Sequence, residues 1–215
     1  MDNSEILSMF LRGALGSRGR KRARRAANFL SGKRGFLTAS TLLGAAGVAW
    51  GIYDSLQSGA TGAVGATGSM PPPIPGPAVT AATAPVSDDD RGLPLEVLRV
   101  IRLAVSAARA DGTLLPAERA LILSHAREAG VETVVEDELT TSRPLAEIVS
   151  GVTDDQKRRD LYILAYTIIR ADENVTGAER VYLAQLAHQL GLNAATVAEL
   201  EQSTAAKIDA TPEAP

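Results

Sequence analysis

Beyond Leu93, apolar residues recur every three or four positions, and no stretch alternates apolar with polar as a half-buried strand would, so this half of the chain reads as amphipathic helices. A first helix over about 94–110 puts Leu98, Ile101, Val105 and Ala108 on one face, with Pro94 suited to its first turn. A second, over about 116–129, is stopped by Gly130, and one or two short helices fit between Glu132 and Gly151, interrupted at Pro144. A long helix after Thr153, with Thr153-Asp154-Asp155-Gln156 as its capping box, carries Leu161, Leu164, Ala165, Ile168 and Ile169 inward. Another follows the capping box Thr176-Gly177-Ala178-Glu179 and ends before Gly191. Asn193 caps a last helix over about 194–206, and 208–215 reads as a disordered tail.

The pattern upstream is different. Ser4 to Leu15 spaces Ile6, Leu7, Phe10 and Leu11 as one face of a short amphipathic helix, too small to form a core by itself. Gly35 to Tyr53 carries no charged side chain and is ended by Asp54, which is about the minimum length for a helix to cross a bilayer. Thr38, Ser40, Thr41, Gly44, Gly47 and Gly51 dilute its apolar character, while Trp50 and Tyr53 stand where an interfacial anchor belongs. A transmembrane or membrane-associated helix is therefore expected over 35–54. Gly47-x-x-x-Gly51 offers a close-approach face for a homo-oligomer. From 55 to 92 the Gly, Ala, Thr and Pro content, centred on Met70-Pro71-Pro72-Pro73, predicts a disordered linker, extended along its proline run.

Charge sharpens this division. The net charge is only −3, yet nine Lys and Arg lie between Arg12 and Arg34, and the remainder is acidic. Beside an uncharged run, such a cluster predicts a topogenic stretch that binds anionic membrane lipid, making 1–34 a basic, membrane-directed region. The positive-inside rule then puts the helical domain, 93–207, on the periplasmic side of a bacterial inner membrane. The alternative is a nucleic-acid-associated protein using Arg18 to Arg25, although no stacking aromatics are interleaved there. The absence of cysteine excludes disulfides, thiolate metal sites and thiol nucleophiles, and two histidines are too few for a histidine-rich zinc site. His125 and His188 do not align in the repeat described next and read as ordinary helix-face residues; Tyr162, Tyr166 and Tyr182 read as core.

At a fixed offset, Arg109-Ala110-Asp111 falls on Arg170-Ala171-Asp172, Ala117-Glu118-Arg119 on Ala178-Glu179-Arg180, and Gly130-Val131 on Gly191-Leu192. The fold class expected is thus all-α: a compact bundle with an internal helical-hairpin duplication. Ala107-Ala108-Arg109-Ala110-Asp111-Gly112 with Glu118, and Ala171-Asp172 with Glu179-Arg180-Val181-Tyr182-Leu183, resemble the tellurite-resistance TerB-like superfamily. More narrowly, they are similar to the YebE-type bacterial inner-membrane proteins of unknown function. The resemblance implies a helical fold, membrane association, a link to tellurite or general stress resistance, and no established catalytic activity. It also implies a divalent-cation site at Asp111, Glu118, Asp172 and Glu179, the only cofactor suggested. The same acids serve equally as turn acceptors and helix caps. An EF-hand is disfavoured because Ala107 and Arg109 stand at its opening ligand positions. The expected function is a non-catalytic, membrane-anchored helical module with an unidentified protein partner, the rival being a metal-dependent enzyme built on the acidic cluster.

Overall fold

The structure, a computed structural model, describes residues 3–16, 21–31, 36–39, 93–112, 114–171 and 175–211, and every regular element among them is a helix. In chain order these are α1 (Asn3–Gly16), α2 (Lys21–Ser31), α3 (Phe36–Ala39), α4 (Leu95–Ala108), α5 (Pro116–Glu128), α6 (Glu132–Thr140), α7 (Leu145–Ile148), α8 (Asp155–Arg170), α9 (Gly177–Gln189) and α10 (Ala194–Ala210).

Helices α4 and α8 pack against each other at the centre. Their apolar residues spread over more than one stripe, so both are covered on several sides; Leu98, Ile101 and Leu103 of α4 and Leu161, Leu164 and Ile169 of α8 are all buried. The two copies of the repeat then build outward alike, α6 lying on α4 and α10 on α8. Both hairpins end in the same left-handed turn. The N–H of Val131 donates to the carbonyl of Ala126 (2.8 Å) and that of Gly130 to Arg127 (3.0 Å), while Leu192 donates to Ala187 (2.9 Å) and Gly191 to His188 (3.0 Å). The glycines adopt φ of 73° and 67°, a region that a Cβ disfavours. Gly130→Ala and Gly191→Ala are each expected to cost about 1 kcal/mol, from the backbone alone, because an added Cβ would meet no atom within 4 Å at either site. Urea unfolding of the two variants should give matching losses; a cost at one site only would contradict the equivalence of the turns.

Caps fall close to their expected places. Asn193 accepts from the Thr196 N–H (2.9 Å) and Thr176 from that of Glu179 (3.2 Å). At α8 the cap is Asp154 rather than Thr153: its carboxylate accepts from the Lys157 N–H at 2.7 Å. An acid at this position meets both the open N–H groups and the positive end of the helix dipole.

The N-terminal segment departs from expectation. The apolar face of α1 (Leu7, Phe10, Leu11 and Leu15, all fully buried) lies in the same core as α4–α10, with α1 packed on α5 and α4. The described part of the basic stretch opens α2, whose Ala23, Ala26, Ala27 and Leu30 are buried while α2 packs on α8 and α10. Small alanines let α2 approach closely, and Arg24 on its outer side stays exposed. The uncharged run is described only at its start, the single turn α3, where Leu37 is buried and the Phe36 ring stacks on Phe29 at 5.8 Å.

These contacts correct the membrane expectations. No helix among the described residues is long and apolar enough to cross a membrane. The face of α1 expected to approach a bilayer is occupied by protein, as is the alanine face of α2. Among the described residues this contradicts the expected transmembrane helix, and with it the lipid partner and the inner-membrane placement with a periplasmic domain. An amphipathic face reports that a helix has an apolar neighbour, and here that neighbour is the bundle. The remainder of 35–54, including Gly47 and Gly51, and the linker 55–92 lie outside the described residues.

Candidate functional site

The duplicated acids act locally. Glu118 returns a carboxylate oxygen to the N–H of Leu115 (3.0 Å), and Glu179, buried, returns one to the N–H of Thr176 (2.7 Å), so each closes the first turn of its own helix. Asp111 is exposed in the turn after α4, and Asp172 lies outside the described residues. Among the described residues, no group of three or more His, Asp or Glu side chains could hold a metal ion. This corrects the expected divalent-cation site as far as the described residues go: the carboxylates of Glu118 and Glu179 are directed to their own helix starts and do not converge on one ion. The two copies differ at the cap itself, since Leu115 is exposed and has no side-chain acceptor where Thr176 has one. Leu115→Thr should therefore stabilise the fold by about 1 kcal/mol, read as a raised urea midpoint at unchanged m-value.

A different constellation lies between the end of α4, the α6–α7 connection and α9. Glu138 of α6 is only 4% exposed, and its Oε1 accepts from Nε of Arg102 (3.1 Å) and Nε of Arg143 (2.5 Å). Nη1 of Arg143 also donates to Glu147 at 3.1 Å, and these two carboxylates, Glu138 first, push the Arg143 guanidinium further toward its charged form. Arg109 donates from Nη1 to the carbonyls of Glu138 (2.8 Å) and Leu139 (3.3 Å) near the C-terminal end of α6, where the helix dipole favours a cation. Arg99 does the same for the end of α7, donating to the carbonyls of Ile148 (3.2 Å) and Ser150 (3.0 Å). One helix thus carries a row of arginines that holds down the segment between the two repeats.

Above this anchor opens a cleft of about 280 Å³, lined by Arg109, Glu138, Ser142, Arg143, Tyr182 and Gln185. The Tyr182 hydroxyl is buried in its wall next to Ser106 but makes no hydrogen bond of good geometry, and burial pushes its ionisation well above the usual phenol range. It remains a neutral O–H donor at any physiological pH. The cleft continues into a more open, apolar groove of about 660 Å³ between α7 and α9, lined by Pro144, Leu145, Ala184 and His188. Val181, 57% exposed, stands where cleft and groove meet. Chemically this surface offers positive charge, hydrogen-bond donors and an apolar shelf, which suits holding a ligand; Glu138, the carboxylate in the cleft, is engaged by two guanidinium groups.

The remaining singled-out residues have structural surroundings. Tyr162 is buried and donates to Glu201 at 2.6 Å; burial first, and that carboxylate second, push its ionisation far upward. Tyr166 is buried beside it, and His125 lies 3.3 Å from Glu128 on its own helix. Sequence reasoning did not select Arg102, Glu138 or Arg143. The available signal was the spacing of Arg99, Arg102 and Arg109, which puts three cations along one side of a helix that is otherwise largely buried.

A family model described as "Protein of unknown function (DUF533)" matches residues 7–204. No curated protein and no solved structure matches the chain.

Proposed function

This chain belongs to the DUF533 family, and from that premise we propose that it is a non-catalytic helical binding module whose working face is the continuous cleft and groove along α9. Its occupant is a protein segment that presents an apolar side chain to the shelf of Pro144, Leu145 and Ala184 and an acidic group to the neighbouring arginines. The observation that carries this reading is the exposure of Val181 between an apolar groove and a cationic cleft, since an apolar patch with a polar rim is what a partner's anchor residue requires. Within the family, the repeated Arg-Ala-Asp and Ala-Glu-Arg blocks support a TerB-like affiliation, and the shared core of α1, α2 and α4–α10 supports a module that works as one body.

The test is site-specific photo-crosslinking in cells. A photoreactive residue at Val181 should give discrete adducts with one protein, and the same residue at the exposed Glu128, at the end of α5, should not. Equal labelling at both positions, or none at Val181, would reject the binding face.

A further inference from the structure

We propose that the cleft beneath Val181 is an oxyanion subsite in which Arg109 and Arg143 receive a carboxylate or phosphate group. This inference deepens the binding-module reading and rests on it for the ligand's biological source. Its first support is an imbalance of charge. Among the contacts of the described residues, Arg102, Arg109 and Arg143 converge near the end of α6, where Glu138 engages Arg102 and Arg143 and Glu147 engages Arg143. Among the described residues Arg109 bonds no carboxylate: its bonds run from Nη1 to backbone carbonyls, leaving Nε and Nη2 of its planar fork outside them. Arg143 donates through Nε and Nη1 and has Nη2 outside those bonds. A planar fork with unused N–H groups beside a cleft matches the two oxygens of a carboxylate or the face of a phosphate.

The second support is independent of the arginines. Tyr182 lines the cleft, its buried hydroxyl lying beside Ser106 without a hydrogen bond of good geometry. Ser106 and Ser142 add hydroxyls to the lining, Gln185 adds an amide, and Glu138, already engaged by two arginines, is its carboxylate. A site so rich in donors discriminates in favour of an anion, and its volume of about 280 Å³ admits one small oxyanion with the atoms that carry it.

Isothermal titration of the full chain at constant ionic strength, with chloride as the reference anion, uses two probes: inorganic phosphate, and N-acetyl-aspartate amide as the stand-in for a peptide carboxylate. Saturable binding of either supports the subsite, and the tighter probe identifies the source. Arg109→Gln should weaken that binding by roughly tenfold or more. Because Arg109 also secures α6, the companion variant is Gln185→Glu, an exposed substitution that leaves the fold intact by circular dichroism and sets a like charge at the rim; it too should weaken binding roughly tenfold. Failure of both probes to bind at millimolar concentration, or unchanged affinity in Gln185→Glu, overturns the subsite. Crosslinking at Val181 that persists in that event leaves the binding face standing, whereas its loss removes the module reading itself.

Discussion

A chain beginning at Leu93, without α1 and α2, is expected to lose its cooperative thermal transition. Leu7, Phe10, Leu11, Leu15 and Leu30 are all at 1% exposure or less, and their neighbours on α4, α5, α8 and α10 are uncovered when they go. Full burial of each such side chain contributes ~1.5–3 kcal/mol, and five together rival the entire ~5–15 kcal/mol that separates folded from unfolded domains. Phe10→Ala in the full chain is the graded form of the experiment and should cost about 3–5 kcal/mol, since it leaves a cavity with no solvent access. Circular dichroism melts of both proteins decide the matter. A truncated chain that still unfolds sharply near the full-length midpoint would show α1 and α2 to be ornaments on a self-sufficient bundle.

Glu138→Ala should produce the largest loss of any single polar substitution, about 3 kcal/mol. It leaves Arg102 and Arg143, 16% and 30% exposed, without the carboxylate that both address, and removes the side-chain tie of α6 to α4 while the backbone bonds from Arg109 remain. Partial exposure of the arginines lets water recover some of the penalty, which sets the figure at the low end for broken buried pairs. Glu147→Ala, removing a carboxylate that is 55% exposed, should cost less than about 1 kcal/mol. Urea unfolding of the two variants separates an anchoring carboxylate from a decorative one; comparable small losses would mean that the arginine row does not hold α6.

The helices from α4 to α10 were legible because their signals are local. Period, Pro94, Thr176 and Asn193 mark starts, and Gly130 and Gly191 mark ends, within a few residues of where the physics acts. The internal duplication was legible for the same reason, its two hairpins carrying matching turn chemistry. The destination of α1 and α2 was not, because Leu7, Phe10 and Leu11 form the same stripe whether it meets lipid or protein, and the basic residues of α2 drew attention away from its alanines. At the site, the repeated acids were visible but their role was ambiguous between ligand and cap; Glu118 bonded to the Leu115 N–H and Glu179 to the Thr176 N–H act as caps. The arginine cleft stayed hidden because its meaning lies in distant pairings. Arg102 meets a carboxylate 36 positions away and Arg109 a carbonyl 29 positions away, and in the sequence both look like any solvated cation on a helix.

The seat of α2 on α8 and α10 has a bearing on how the molecule is made. Because α8 and α10 follow α2 by more than a hundred residues, α2 is synthesised well before the helices it docks on, the last of them at Ala194–Ala210. Until then the α2 face of Ala23, Ala26 and Leu30 lacks its full cover on the nascent chain, and closing so long a loop costs entropy before those contacts form. A pause in translation before α10 therefore prolongs the interval in which a chaperone, or another unfinished copy, can reach those side chains.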